Sequence, residues 1–328
     1  VNVKKCLQHL TAHHNLEYFE YQNDQFKDFP SSVRVDADWL GERYSAWGVG
    51  QDQDLAFFKA LIELIERFSI GTQSPLIYRK SGLFERSKNL QEISHDFGLP
   101  IRYLHPANSN GAACHLVKSK AKESAFCELL ERHVVLSSLL LQIPPEKQAY
   151  SKLKMIEGYT ISTYYWKVGA YYVVVAAATL PNGGILFGHS CSRNLKAATS
   201  KATEEVAINV IYSENTKDQK ISISKIEPEV ISSFYTYWRF SGNKRAFEFL
   251  ESSNGKTKNW LRIPSLTNVF FAEVPIPVPL ARFTGQLHCI RAISPQAQQL
   301  FFDNWKYEHI NPLIFDRFSL PDFPHIIS

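Results

Sequence analysis

The chain has 328 residues, 45% apolar and 21% charged, with 22 Phe, 15 Tyr and 6 Trp; it can bury enough surface to offset the entropy of ordering it, which excludes a disordered chain. Its 36 basic and 32 acidic side chains leave a net charge of +4, without the concentrated positive excess of a nucleic-acid or anionic-membrane binder. No nucleic acid and no membrane are therefore expected as partners.

The N-terminal stretch VNVKKCLQHLTAHH lacks the apolar core of a signal peptide. As a helix it would set Cys6, His9 and His13 on one side, a group of soft ligands with no fourth member nearby. Apolar residues recurring at three- and four-residue intervals predict helices over residues 54–69, 119–141 and 195–212. The apolar run Val134–Ile143 ends at Pro144-Pro145, well short of the ~20 residues of a membrane span. TISTYYWKV and AYYVVVAAATL, joined through Gly169, and ILFGHS beyond the Pro181–Gly184 turn predict an antiparallel meander. His189-Ser190-Cys191 lacks the G-x-S-x-G surroundings of a nucleophile and reads as a strand-end loop.

Polar stretches at residues 213–220 and 252–259 read as surface loops, and Tyr235–Phe240 as a buried aromatic element. Pro275-Ile-Pro277-Val-Pro279 reads as an extended, polyproline-like segment. Gly255-Lys256-Thr257 ends like a phosphate loop, but Leu250 stands at the required first glycine, and Gly48-x-Gly50 is followed by Gln53 rather than a third glycine. Both common nucleotide motifs are absent. No Gly/Ser or Pro-rich linker divides the sequence, so one α+β domain over residues 1–328 is expected, of mixed or antiparallel sheets with packed helices. Cys6, Cys114, Cys127, Cys191 and Cys289 are odd in number and contain no C-x-x-C pair, which points to neither a disulfide framework nor a zinc ribbon and suits a reducing cytoplasm.

The sequence also repeats itself weakly. Ala60–Arg67 (ALIELIER) matches Ala125–Arg132 (AFCELLER) at five of eight positions, and Ala202-Thr-Glu-Glu205 is a reduced third copy. Each copy follows a glycine read as a strand end, Gly50, Gly111 and Gly188, by ten, fourteen and fourteen residues, which predicts three strand-loop-helix units. On a helix Glu63, Glu66 and Arg67 share one face, as do Glu128, Glu131 and Arg132. Taken singly, each ExxER is a solvated face with an intrahelical ion pair. Twice over among Leu61, Ile62, Leu64, Ile65, Phe126, Leu129 and Leu130, the carboxylates lie close to buried surface, where a charge needs a partner. Carboxylate oxygens suit Mg²⁺ shared with nucleotide phosphates, and arginine forks suit phosphate oxygens.

Gly50–Arg67, Ser109-Asn110-Gly111 leading to Glu128–Arg132, and Gly188–Glu205 together resemble the YcaO domain superfamily over roughly residues 45–211. The resemblance implies an enzyme that binds ATP and Mg²⁺ and phosphorylates a peptide-bond oxygen, so that a Cys, Ser or Thr side chain closes to an azoline, or a sulfide or amine replaces that oxygen. Glu63, Glu66, Glu128, Glu131 and Glu205 match positions that hold metal, and these with Arg67, Arg132 and Asn209 form the expected cofactor set; no catalytic residue is assigned. Lys59 stands where the family commonly has Ser, Ala113 and Leu116 replace small polar nucleotide contacts, Lys120 replaces a Glu, and Asn209 replaces a Gln. These departures support an alternative, a YcaO pseudoenzyme that scaffolds a modification complex or holds a peptide. The expected partners are a ribosomal precursor peptide and a separate leader-binding or accessory protein, with a homodimer also open. Azoline-forming members tend to finish in Pro-x-Pro-x-Pro, whereas this chain finishes Leu320-Pro-Asp-Phe-Pro324-His-Ile-Ile-Ser328.

Overall fold

The computed structural model describes residues 3–21, 31–71, 76–80, 87–104, 110–148, 159–179, 184–215, 245–252, 263, 265–298, 307 and 310–313. In chain order the elements are α1 (Val3–His14), β1 (Glu17–Tyr21), β2 (Ser31–Trp39), β3 (Glu42–Gly50), α2 (Gln53–Gly71), β4 (Arg79–Lys80), α3 (Leu90–Phe97), β5 (Ala112–His115) and α4 (Lys118–Leu140). There follow β6 (Glu146–Lys147), β7 (Thr160–Val168), β8 (Tyr171–Thr179), β9 (Ile185–Ser192), α5 (Leu195–Asn215), α6 (Arg245–Glu251), β10 (Phe270–Val274), α7 (Val278–Thr284) and β11 (His288–Ile293). This is an α+β fold in which every described strand pair is antiparallel.

The described residues fall into two compact units, one running to Leu129 and resuming over Thr267–Pro295, the other over Leu130–Leu266 and from Gln296 onward. In the first unit, alternation sets Val33, Val35, Ala37 and Trp39 of β2 on one buried face, where they meet Ala56, Ala60, Leu61, Leu64, Ile65 and Phe68 of α2. Cys6 and Leu10 of α1 join that core. A second sheet in this unit, in the order β4-β10-β11-β5, packs Phe270, Ala272 and Ile293 against Ile93 of α3. Asn89 starts α3 with a capping box, its side chain accepting from the Glu92 N–H at 2.9 Å while the Glu92 carboxylate accepts from the Asn89 N–H at 2.7 Å.

In the second unit the sheet runs β6-β7-β8-β9, and the meander expected from its aromatic and β-branched content is present, turning at Gly169 with φ of 58°. Trp166 is fully buried and donates from Nε1 to the Ile143 carbonyl at 3.0 Å. Helix α5 lies on β8 and β9, its Ala198, Ala202, Val206 and Val210 turned inward.

The three strand-loop-helix units are β3–α2, β5–α4 and β9–α5, each with two residues between strand and helix. Their shared anchor is the helix cap rather than the glycine. Gly50 ends β3, but Gly111 precedes β5 and Gly188 lies inside β9. Measured from the residue before each helix, Asp52, Val117 and Asn194, the glutamates Glu63, Glu128 and Glu205 all fall eleven positions on (63 − 52, 128 − 117, 205 − 194). Glu66 and Glu131 fall at fourteen, and Arg67, Arg132 and Asn209 at fifteen. Asp52 and Asn194 cap their helices through side-chain oxygens, at 2.8 Å from the Leu55 N–H and 3.1 Å from the Ala197 N–H.

Three expectations change. Cys114 and Cys289, whose spacing gives no disulfide pairing, are bonded to each other because β5 and β11 set them side by side. His189, Ser190 and Cys191 lie within β9 and are buried, not in a loop, because β8 pairs with them throughout. The proline segment is extended only to Pro277, where α7 begins with Pro279 in its first turn, a place where a missing N–H costs nothing. Ser109, Tyr235–Phe240, Gly255–Thr257, residues 216–220 and 253–259, the turn residues 181–183 and the C-terminal Leu320–Ser328 stretch lie outside the described residues. Among the described residues, no helix is long and apolar enough to cross a membrane.

Candidate active site

In the first unit, α2 presents Glu63, Glu66 and Arg67 from successive turns, and α4 presents Glu128. Glu63 and Arg67 form the intrahelical pair that the i, i+4 spacing dictates, at 2.7 Å. Glu66 instead reaches the edge strand β5 and accepts from the Cys114 N–H at 2.9 Å. Burial, then the charge of Glu128, then that of Glu63, push the Glu66 carboxyl well above its ordinary range, against the pull of Cys114 and Arg67. The charge of Glu128 on α4 is thus felt at Glu66 on α2. Arg291 of β11, 1% exposed, also lies in the field of Glu128 and of Tyr78. Sequence reasoning missed Arg291; its signal is one cation in the otherwise apolar run Cys289-Ile-Arg-Ala-Ile293.

The second unit holds a parallel arrangement. Glu205 of α5 accepts from the His189 N–H of β9 at 3.0 Å, with the buried His189 ring 4.0 Å from its other oxygen. Burial and the charge of Glu131 raise the Glu205 carboxyl to about 7, against opposing pulls from Arg132, His189 and Lys201. Glu131 and Arg132 lie 3.3 Å apart, both nearly buried. Asn209, fifteen positions past the cap where the other helices carry arginine, is 5% exposed and donates from Nδ2 to the Phe187 carbonyl at 2.6 Å. Its amide is thereby tied to the neighbouring strand.

These groups fit a hard divalent cation with phosphate. Glu66 with Glu128, and Glu205 with Glu131, are like-charged carboxylates in partly dehydrated surroundings, where a cation relieves both repulsion and desolvation. Arg67 Nε is buried and meets no acceptor among the described residues, which suits an incoming oxyanion. Among the described residues, no three His, Cys, Asp or Glu side chains converge as a closed metal cage. Mg²⁺ does not need one, since it keeps waters and is completed by substrate phosphates. In the N-terminal set, His9 and His13 lie ring to ring at 4.7 Å while Cys6 is buried in the core.

Residues 94–262 match the sequence model of a family described as YcaO cyclodehydratase, ATP- and Mg²⁺-binding. The chain belongs to the YcaO family. No curated protein sequence matches it. Among solved structures it resembles YcaO from Methanopyrus kandleri bound with AMPPCP and Mg²⁺, with a TM-score of 0.62 and 12% identity over 98% of this chain and 93% of that one. A heterocyclase in complex with substrate and cofactor gives 0.59 at 11% identity, covering 95% of this chain and 57% of that one. The E. coli microcin synthetase McbBCD complex with pro-MccB17 bound gives 0.56 at 13% identity, over 85% and 88%. At these identities the likeness is one of fold.

The YcaO departures have definite places. Lys59 is exposed on α2 and Lys120 is exposed at the start of α4, where its charge helps hold the His115 imidazole below its ordinary value after burial has done so. Ala113 is 9% exposed in β5, and Leu116 is 45% exposed in the two-residue link that follows. Asn110, next to the undescribed Ser109, is buried at 2% exposure.

Proposed function

We propose that this YcaO chain uses ATP and Mg²⁺ to activate a backbone amide of a ribosomally made peptide, presented by a separate leader-binding protein. The observation that carries the reading is the Glu66–Glu128 carboxylate pair beside the Glu63–Arg67 ion pair. In this reading Glu63, Glu66 and Glu128 in the first unit, and Glu131 and Glu205 in the second, serve as cation ligands, and Arg67 and Arg132 steady phosphate oxygens. Bound Mg²⁺ supplies charge neutralisation on the transferring phosphoryl group. The protein's own work is to aim the carboxylates: the Cys114 and His189 amides hold Glu66 and Glu205 by hydrogen bonds that offset part of the burial and like-charge repulsion raising both groups.

A peptide amide oxygen leaves poorly, and phosphorylation converts it into phosphate. A neighbouring thiol or hydroxyl adds to the carbonyl carbon with loss of its proton, the phosphorylated oxygen leaves as phosphate, and loss of the amide proton completes the ring, so that the peptide loses one water per ring while one ATP becomes ADP and phosphate. Sulfide as the nucleophile would exchange oxygen for sulfur, which mass spectrometry of the product distinguishes from dehydration. Phosphate release from ATP with the cognate peptide and accessory protein is the decisive assay. Glu66→Gln and Glu128→Gln should each lower turnover by at least about 100-fold, the scale for loss of a charge-stabilising group; unchanged turnover in both would sink this role for the pair.

A second reading is a pseudoenzyme that holds a peptide or scaffolds a modification complex. Exposed Leu116 and Lys120, beside the strand that carries Cys114, favour it, as does the engagement of Asn209 by the strand. Calorimetry with ATP and Mg²⁺ separates the readings, because the pseudoenzyme gives no heat of nucleotide binding.

A further inference from the structure

Strand β5 is only four residues long, Ala112–His115, and lies at the edge of its sheet with β11 as its described partner. It nevertheless supplies the amide that holds Glu66. Cys114 stands directly opposite Cys289 in the β5–β11 register, and the two sulfurs are bonded. Their Cα atoms are 4.2 Å apart, the spacing of a narrow antiparallel pair in which each residue's N–H points away from the opposite strand. The Cys114 N–H is thus directed off the sheet edge, toward Glu66 Oε2 at 2.9 Å. The covalent tether and the carboxylate's hydrogen bond belong to the same residue.

We propose that Cys114 and Cys289 form a thiol–disulfide switch that sets how firmly β5 holds Glu66. The inference rests on the nucleotide-site reading for its functional consequence, but the tether itself does not. A low-molecular-weight disulfide of the glutathione class is the oxidant. The half-buried Cys114, as thiolate, attacks it and releases one small thiol; the Cys289 thiolate, from a residue 2% exposed, then attacks the Cys114 sulfur and releases the second. Two protein thiols lose two protons and two electrons, and the small disulfide becomes two thiols. In the reduced state β5 keeps its short ladder with β11 and its packing against α2 but loses the covalent tether, and the Cys114 amide is held less firmly to Glu66.

The test uses the full chain equilibrated in reduced or oxidised glutathione buffer, quenched by alkylation and mapped by mass spectrometry without reduction. A linked Cys114–Cys289 peptide is expected in the oxidised sample and its two alkylated peptides in the reduced one. Amide hydrogen exchange over residues 110–116 should be at least about fivefold slower when oxidised. Cys289→Ala and Cys114→Ser should both show the reduced rate under either buffer. Absence of the linked peptide, or equal exchange in the two states, overturns the switch. Affinity for ATP with Mg²⁺, measured by calorimetry on the same samples, should be tighter by at least about fivefold when oxidised; equal, measurable affinities would overturn the functional link. Linked peptide and slowed exchange with no nucleotide binding in either state would leave the switch standing and overturn the nucleotide-site reading.

Discussion

Glu205 sits where its protonated form is favoured, with a value of about 7 against 4.5 for an ordinary glutamate. Between those values the folded chain retains a proton that the unfolded chain has released, so stability falls as pH rises through the window, and the full favourable contribution is present below it. In metal-free protein the loss should be about 1–3 kcal/mol between about pH 4.5 and about pH 7. Urea unfolding of wild type and Glu205→Gln measures it: the variant should have a flatter profile and be the more stable of the two at the upper end. A wild-type profile as flat as the variant's would mean that burial and the charge of Glu131 do not raise Glu205. The ExxER spacing already placed Glu131, though not Glu205, close to apolar neighbours. Arg291 was harder to find, because its burial follows from the β10–β11–β5 register and not from anything local to its own strand.

The three helices illustrate how caps carry register. Asp52 and Asn194 fix where α2 and α5 start, and every glutamate in the repeat then falls at a set offset and faces a set direction. Asp52→Ala and Asn194→Ala should each lower stability by about 1 kcal/mol, read from urea midpoints. Helix α5 also needs close approach to β9. A Cβ on Gly188 would run into the backbone of Ala202 and Val206, and one on Gly48 would meet Ala56 and Ala60 of α2 in the same manner. Gly188→Ala should therefore cost about 2–4 kcal/mol, since backbone cannot rotate aside as a side chain can. A drop of under ~1 kcal/mol would show that strand and helix can separate without loss. Helix and meander positions were legible because both periodicities are local. The glycines were visible too, but their reason was not: spacing read them as strand ends, whereas Gly188 serves a helix contact inside a strand.

Across the whole molecule, both compact units are assembled from segments far apart in the chain. The Cys114–Cys289 bond closes a separation of 175 residues. Loop-closure entropy sets an upper scale of roughly 5 kcal/mol for such a link, and cross-links commonly deliver about 2–4 kcal/mol. Reduction of the intact protein should lower its unfolding free energy by that smaller amount, and Cys289→Ala should match the reduced wild type with no further response to reductant. A variant still sensitive to reductant would place the stabilising bond elsewhere.

The sequence by itself determined the three helices, the meander, the repeated ExxER face and the resemblance to YcaO proteins, because each depends on residues a few positions apart. It could not pair Cys114 with Cys289, set Arg291 near Glu128, or turn the Cys114 amide toward Glu66. Those depend on which strands lie side by side and in what register, and burial settles that choice over the assembled core. Only the tertiary structure therefore decided that Glu66 is held by a strand that a disulfide ties in place.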